Sequence, residues 1–308
     1  MIWRLFFATL VFPLKGALIR CRANFTPKAQ PVSELPSVDV VQRGSQPRSL
    51  LGMLKRVNAE EGIDGLYKGI LPTLGFILFW EQISTPSVVV VGFFHFGLGE
   101  IYASTLLIVA IASFVKIIAT VIEVVFVNRA VTTRENLPSL SLGRALDVLL
   151  SPAERRHPYR IFMIPGLLAA CTSWALYIVG TIMTRNLLFV KVKLFLEHFG
   201  NWEDMKPYIP LLVVAIVLSV VLNALVLTPL EVMIVRLSIQ TNSTQVTLLL
   251  DTPPDEDEQD YSVKPVRLRT CEEYTGLINC MRLIIQEEGW GALYRGWWWT
   301  AFGGILFI

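Results

Sequence analysis

Residues 60–69 read EEGIDGLYKG, and residues 287–296 read EEGWGALYRG. Both spell Glu-Glu-Gly, three variable residues, Leu-Tyr, a cation and Gly, as Glu61-Gly62 to Gly69 and again as Glu288-Gly289 to Gly296. A block this specific recurs when a structural unit recurs, and other matching segments then fix the period. PLKGALIR opens at Pro13 and PLEVMIVR opens at Pro229, 216 residues later. Midway stands Val121, opening VIEVVFVN just before Arg129, so that Glu123 aligns with Glu231 and with Lys15. The spacing predicts three units of about 108 residues. Their bounds are residues 1–97, 98–195 and 196–308.

Each unit is built for a bilayer. The chain has 308 residues, 53% of them hydrophobic and only 17% charged, with a mean hydropathy of +0.54. That is more apolar matter than a water-soluble domain can bury. It falls into blocks at roughly 2–19, 70–97, 101–128, 161–190, 208–235 and 297–308. The middle four exceed the ~20 residues that cross a ~30 Å hydrocarbon core. The last, about 12 residues or ~18 Å of helix, is too short to span and reads as an incomplete sixth helix. MIWRLFFATLVF at the start lacks the small-residue cleavage site of a signal peptide and runs on through Pro13 to Arg20.

Long polar connections follow the first, third and fifth blocks, and short ones follow the second and fourth. Lys and Arg gather in the long connections, which puts those on one side of the membrane. SLLGMLKRVNAEEG, SLGRALDVLL and GLINCMRLIIQEEG carry apolar residues at three- and four-residue spacing, the pattern of helices lying on a membrane surface. DTPPDEDEQD at 251–260 has no period and reads as the centre of a disordered acidic insertion over about 245–265. Cys21, Cys171, Cys271 and Cys280 have no metal or disulfide spacing, and His95, His157 and His198 are scattered. No metal, cofactor or enzymatic constellation is expected. A net charge of +2 does not point to nucleic acid.

On the repeated Glu-Gly motif, TPLEVMIVR and the period, the chain resembles the mitochondrial carrier family of solute carriers over essentially its whole length. The resemblance implies an all-α fold of six transmembrane helices in three repeats, with pseudo-threefold symmetry. It also implies a monomer in the lipid bilayer and transport of a small solute by alternating access. In that family Pro-x-acid-x-x-base-x-base closes each odd helix, and its charges pair as a gate on the matrix side. Here the acid, first-base and second-base places hold Lys15, Leu18 and Arg20; then Glu123, Phe126 and Asn128; then Glu231, Ile234 and Arg236. All three first-base places are apolar, so a three-pair ionic gate is not expected, although Lys15 is free to pair with Glu123 or with Glu231. The prolines kink their helices toward one another.

The family's substrate-sorting place, seven residues after the loop glycine, falls on Phe76 and Gly303. HPYRIFMIPG shows no equally spaced glycine, which leaves Leu168, Ala169 and Ala170 as candidates in the second unit. None of these is the Arg with which nucleotide and carboxylate carriers hold anions. Two charges remain inside the spans, Lys116 and Glu81, each about 18 Å from the same membrane side. They are expected either to pair or to meet solute, because a charge at that depth is costly when alone. Two functions stay open: solute transport across the mitochondrial inner membrane, and a non-transporting scaffold or partner-binding element in the outer membrane. Retained loop motifs favour the first, and lost gate charges favour the second.

Overall fold

The computed structural model describes residues 2–27, 49–80, 103–133, 142–181, 209–250 and 273–306, and among them every regular element is helical. Helix α1 spans Ile2–Ala23 and contains Pro13. Short helices α2, Leu50–Glu60, and α3, Gly62–Leu66, follow, and α4 covers 70–80. Helix α5 is Ala103–Thr132. After it come α6, Leu142–Leu149, α7, Pro152–Arg156, and a 3-10 turn over Pro158–Met163. Helix α8 is Leu167–Thr181, and α9 is Ile209–Leu250. The order closes with α10, Leu277–Glu287, α11, Trp290–Leu293, and α12, Trp297–Leu306.

The surface helices expected in the long connections are present as α2, α6 and α10. Ser49 caps α2, its hydroxyl accepting from the Gly52 N–H at 3.0 Å, which satisfies one of the donors a helix start leaves over. Met53 and Val57 on one face of α2 are buried against Ala17 and Leu18 of α1. The amphipathic spacing seen in the sequence is what makes that one-sided burial available.

Helices α1, α5 and α9 touch pairwise. They do so toward their C-terminal ends, where Phe12, Ile19, Ala23, Val127, Val131, Val235 and Ile239 form one buried apolar plug. Toward their N-terminal ends the same helices are bare: Trp3, Phe6, Leu10, Ile111, Phe114, Val213 and Val217 are exposed. Large apolar side chains in that number need a hydrocarbon solvent. Among the described residues, Gly62–Trp80 and Val217–Gln240 are long and apolar enough to cross a membrane, and Leu167–Thr181 is a shorter apolar helix.

Two expectations need correcting at α9. At 42 residues it is about 63 Å long, twice the thickness of a hydrocarbon core. Residues 245–250, expected in the acidic insertion, are therefore its last turns, while 251–265 lie outside the described residues.

Candidate functional site

The three long helices each carry a buried arginine, Arg20 and Arg129 in the last turns of α1 and α5 and Arg236 further inside α9, exposed by 1%, 0% and 2%. Arg20 Nε donates to the Val131 carbonyl of α5 at 3.0 Å. Arg129 Nε donates to the Ser238 carbonyl of α9 at 2.8 Å, and Arg236 Nε donates to the Arg22 carbonyl of α1 at 2.7 Å. Each acceptor lies two residues beyond the arginine of its own helix, so the three bonds run in a ring from α1 to α5 to α9 and back. Val131 and Arg22 lie in the last turns of α5 and α1, where helices leave carbonyls unsatisfied and carry partial negative charge that a cation offsets; Ser238 lies inside α9.

Arg129, and not the expected Asn128, thus fills the second-base place of α5. Asn128 turns to α9 instead, donating Nδ2 to Ser238 Oγ at 2.9 Å.

The repeated loop motif holds those arginines. Arg20 Nη2 reaches Glu61 at 2.7 Å, and Arg236 Nη1 lies 2.8 Å from Glu288. In the same place Arg129 grips Glu154 with two bonds of 2.7 and 2.9 Å, a glutamate the sequence reading passed over. The cations before Gly69 and Gly296 add a second ionic contact: Lys68 lies 3.7 Å from Glu61 and Arg295 lies 2.7 Å from Glu288. Burial alone would raise the Glu288 carboxyl, but Arg236 and Arg295 bring it below the ordinary carboxylate value. Glu154 behaves alike: burial opposes its charge, and the hydrogen bond and charge of Arg129 overcome that.

The loop glycines earn their identity by conformation. Gly62, Gly69, Gly289 and Gly296 have φ of 68°, 89°, 95° and 71°, and Gly166 joins them at 79°. The left-handed region is costly for any residue with a Cβ. HPYRIFMIPG therefore does contain the loop glycine, at its last residue. A Cβ on Gly166 would lie 2.3 Å from the Leu277 nitrogen, and one on Gly296 would lie 2.2 Å from Leu18 Cδ1. Counting seven from Gly166 gives Ser173, an exposed residue of α8, in place of Leu168, Ala169 and Ala170; of these Ala170 is fully buried.

At the gate level the first-base residues are packed, Leu18 with α2 and Ile234 in the core. Lys15 makes no ion pair among the described residues. Its two expected partners are engaged elsewhere. Glu231 binds Arg22 of α1 at 2.7 Å and accepts from Thr300 Oγ at 2.7 Å. Glu123 accepts from Trp80 Nε1 of α4 at 2.9 Å.

That indole also lies under Lys116, whose Nζ stands 5.7 Å from the ring centroid, within cation–π range. Lys116, Trp80 and Glu123 are thus one polar chain between α4 and α5, above the plug. Lys116 is exposed and Glu123 half-exposed. Seven residues apart on α5, they share one helix face at a rise of about 10.5 Å. Glu81, the partner expected for Lys116, lies outside the described residues. Phe76 is half-buried on α4, and Gly303 lies within α12. The sequence signal for Trp80 and Glu123 was present, a Trp beside Glu81 and a carboxylate two turns from Lys116, but nothing in the sequence joined them.

The family model described as mitochondrial carrier protein matches residues 207–307, from α9 through α12. No curated protein and no solved structure matches the chain. That match lies on the C-terminal third, which carries Pro229, Glu231, Arg236 and the second Glu-Gly motif, and over that stretch the chain is similar to mitochondrial carrier proteins.

Proposed function

We propose that this chain is a three-repeat, six-helix carrier that moves a small solute across the mitochondrial inner membrane by alternating access. The repeats are 1–97, 98–195 and 196–308. The cyclic arginine bonds between α1, α5 and α9 support the threefold layout, since equivalent residues meet equivalent partners in turn. The chain works as a monomer in the bilayer, without cofactor or metal. Solute binds at Lys116, Trp80 and Glu123, with Phe76, Ser173, Gly303 and the neighbouring Glu81 around it. Below it the plug of Phe12, Ile19, Val127, Val131, Val235 and Ile239 closes the matrix side. Pro13 and Pro229 supply the bends, and the Glu61, Glu154 and Glu288 clamps hold the ring together.

The observation that carries this reading is an exposed lysine on the long apolar helix α5, directly above a closed apolar seam. A lipid-facing Lys would be costly, so Lys116 belongs beside water or solute. A scaffold role in the outer membrane draws on a different observation: among the described residues a single ion pair, Arg22–Glu231, links odd helices at the gate. Uptake by the full chain in liposomes, across mono- and dicarboxylates, amines, amino acids and nucleotides, separates the two. Carriage is expected for one class, and Lys116→Ala abolishes it while membrane insertion stays normal. Absence of uptake for every class, together with an outer-membrane address in fractionated mitochondria, refutes transport.

A further inference from the structure

We propose that the basic turn of the second unit, Arg155–Arg160, is a docking surface for the chain's own acidic run at 251–260. The turn differs from its two counterparts. Glu154 to Gly166 spans 12 residues, where Glu61 to Gly69 and Glu288 to Gly296 each span 8, and the longer stretch carries RRHPYR. The matching stretches of the other units, GIDGL and GWGAL, hold no cation.

Arg155, Arg156, His157, Tyr159 and Arg160 are all exposed. Arg155 reaches Asp147 at 2.6 Å. The side chains of Arg156 and Arg160 meet no partner among the described residues. The base under them is firm: the capping box of Ser151 and Glu154 closes one end, and Ile161 and Ile164 are buried at the other. Cations presented on a fixed base lose little freedom when they meet an anion.

A surface of unpaired cations calls for a polyanion, and this chain supplies one close by. Residues 251–260 hold six carboxylates and no base. They lie outside the described residues, but the chain re-enters at Glu273 beside the turn. Tyr274 joins the same buried core as Ile161 and Ile164, and a Cβ on Gly166 would stand 2.3 Å from the Leu277 nitrogen. From Asp260 to Glu273 is 13 residues, which span at most about 45 Å, so the turn is within reach. A tether of that length holds the run at about millimolar effective concentration, and weak surface pairs then suffice. Lys264, Arg267 and Arg269 follow the run in the same connection, but these are three cations against six carboxylates. The contact requires no transport activity.

The test uses the full chain in phosphatidylcholine nanodiscs, with Arg160→Lys to place an amine on the turn and a carbodiimide to join amines to touching carboxylates. Mapped by mass spectrometry, the introduced amine is expected to join residues 251–260, with a yield that falls about fivefold from low to high salt as screening shortens the range of the charges. Lys55, an exposed lysine of α2, is the control and should stay unjoined. A second readout leaves the turn untouched: Asp255→Asn, Glu256→Gln, Asp257→Asn and Glu258→Gln together should quicken trypsin cleavage after Arg156 by about threefold, because its cover is lost. Joining at Lys264 alone, joining at Lys55 as often as at position 160, or unchanged trypsin cleavage overturns the docking. So does loss of the joined product in phosphatidylserine nanodiscs at low salt, which would assign the turn to an anionic bilayer.

Discussion

Replacing Glu154 by Gln keeps shape and removes one charge from the tightest contact in the ring. Arg129 is fully buried and has a bidentate grip on Glu154 at 2.7 and 2.9 Å. In the variant its guanidinium keeps the Ser238 and Leu149 carbonyls but has no counter-charge. Breaking one side of a buried pair costs about 3–5 kcal/mol. For a chain of this size that is a fall in unfolding temperature of about 6–10 °C, at roughly 2 °C per kcal/mol. The equivalent changes should rank by burial of the carboxylate. Glu288→Gln strips Arg236 and Arg295 at once and costs most, its side chain being 1% exposed. Glu61→Gln costs least, because its side chain is 16% exposed and water can take over. The assay is built into the protein: Cys21 and Cys171 are buried free thiols, so a thiol-reactive fluorophore reports unfolding in detergent. A Glu154→Gln variant within about 1 °C of the parent, or a larger loss from Glu61→Gln than from Glu288→Gln, would refute the ring as the lock of this end.

Acid should open the same lock. With the Glu154 and Glu288 carboxyls held low, their contribution is complete above the unfolded carboxylate range of about pH 4–5 and is lost as pH falls through the folded values; unfolding temperature against pH checks this, and Glu154→Gln should flatten the curve. Gly166→Ala, with a Cβ at 2.3 Å from backbone, should cost well beyond the ~1 kcal/mol of a strained φ alone, whereas Gly62→Ala, with nothing within 4 Å of its Cβ, should cost about that much; thermal unfolding of the pair compares them. Since the plug is apolar, labelling of Ile234→Cys should change little between low and high salt, and a large rise on adding salt would reveal a charged gate.

The duplicated loop motif was legible because Gly62 and Gly289 sit at positive φ, which only glycine meets easily. The second copy was hidden by spacing. Between Glu154 and Gly166 the chain inserts the 3-10 turn of Pro158–Met163, and Ser151 and Glu154 form a capping box of their own. The glutamate and the glycine kept their tasks while losing their register. Arg129 was missed for a related reason: one residue on a helix turns the face by about 100°, and the alignment through Val121 chose Asn128. Composition could not reveal that Glu231 pairs with Arg22 and not with Lys15, because the pairing depends on how α1 and α9 are rotated. Lys116 was conspicuous as a charge within a span, yet its contact with Trp80 and the bond to Glu123 required the approach of α4 to α5.

Alternating access requires α5 and α9 to part at the plug, and a reversible tether tests this most directly. Asn128 Nδ2 and Ser238 Oγ are 2.9 Å apart across those helices, so Asn128→Cys with Ser238→Cys places two thiols within reach of a short crosslinker. Uptake into liposomes would be followed for the panel solute carried fastest by the parent. The account predicts that crosslinking stops uptake and that cleaving the tether restores it. Uptake that continues unchanged with the helices tethered would contradict it.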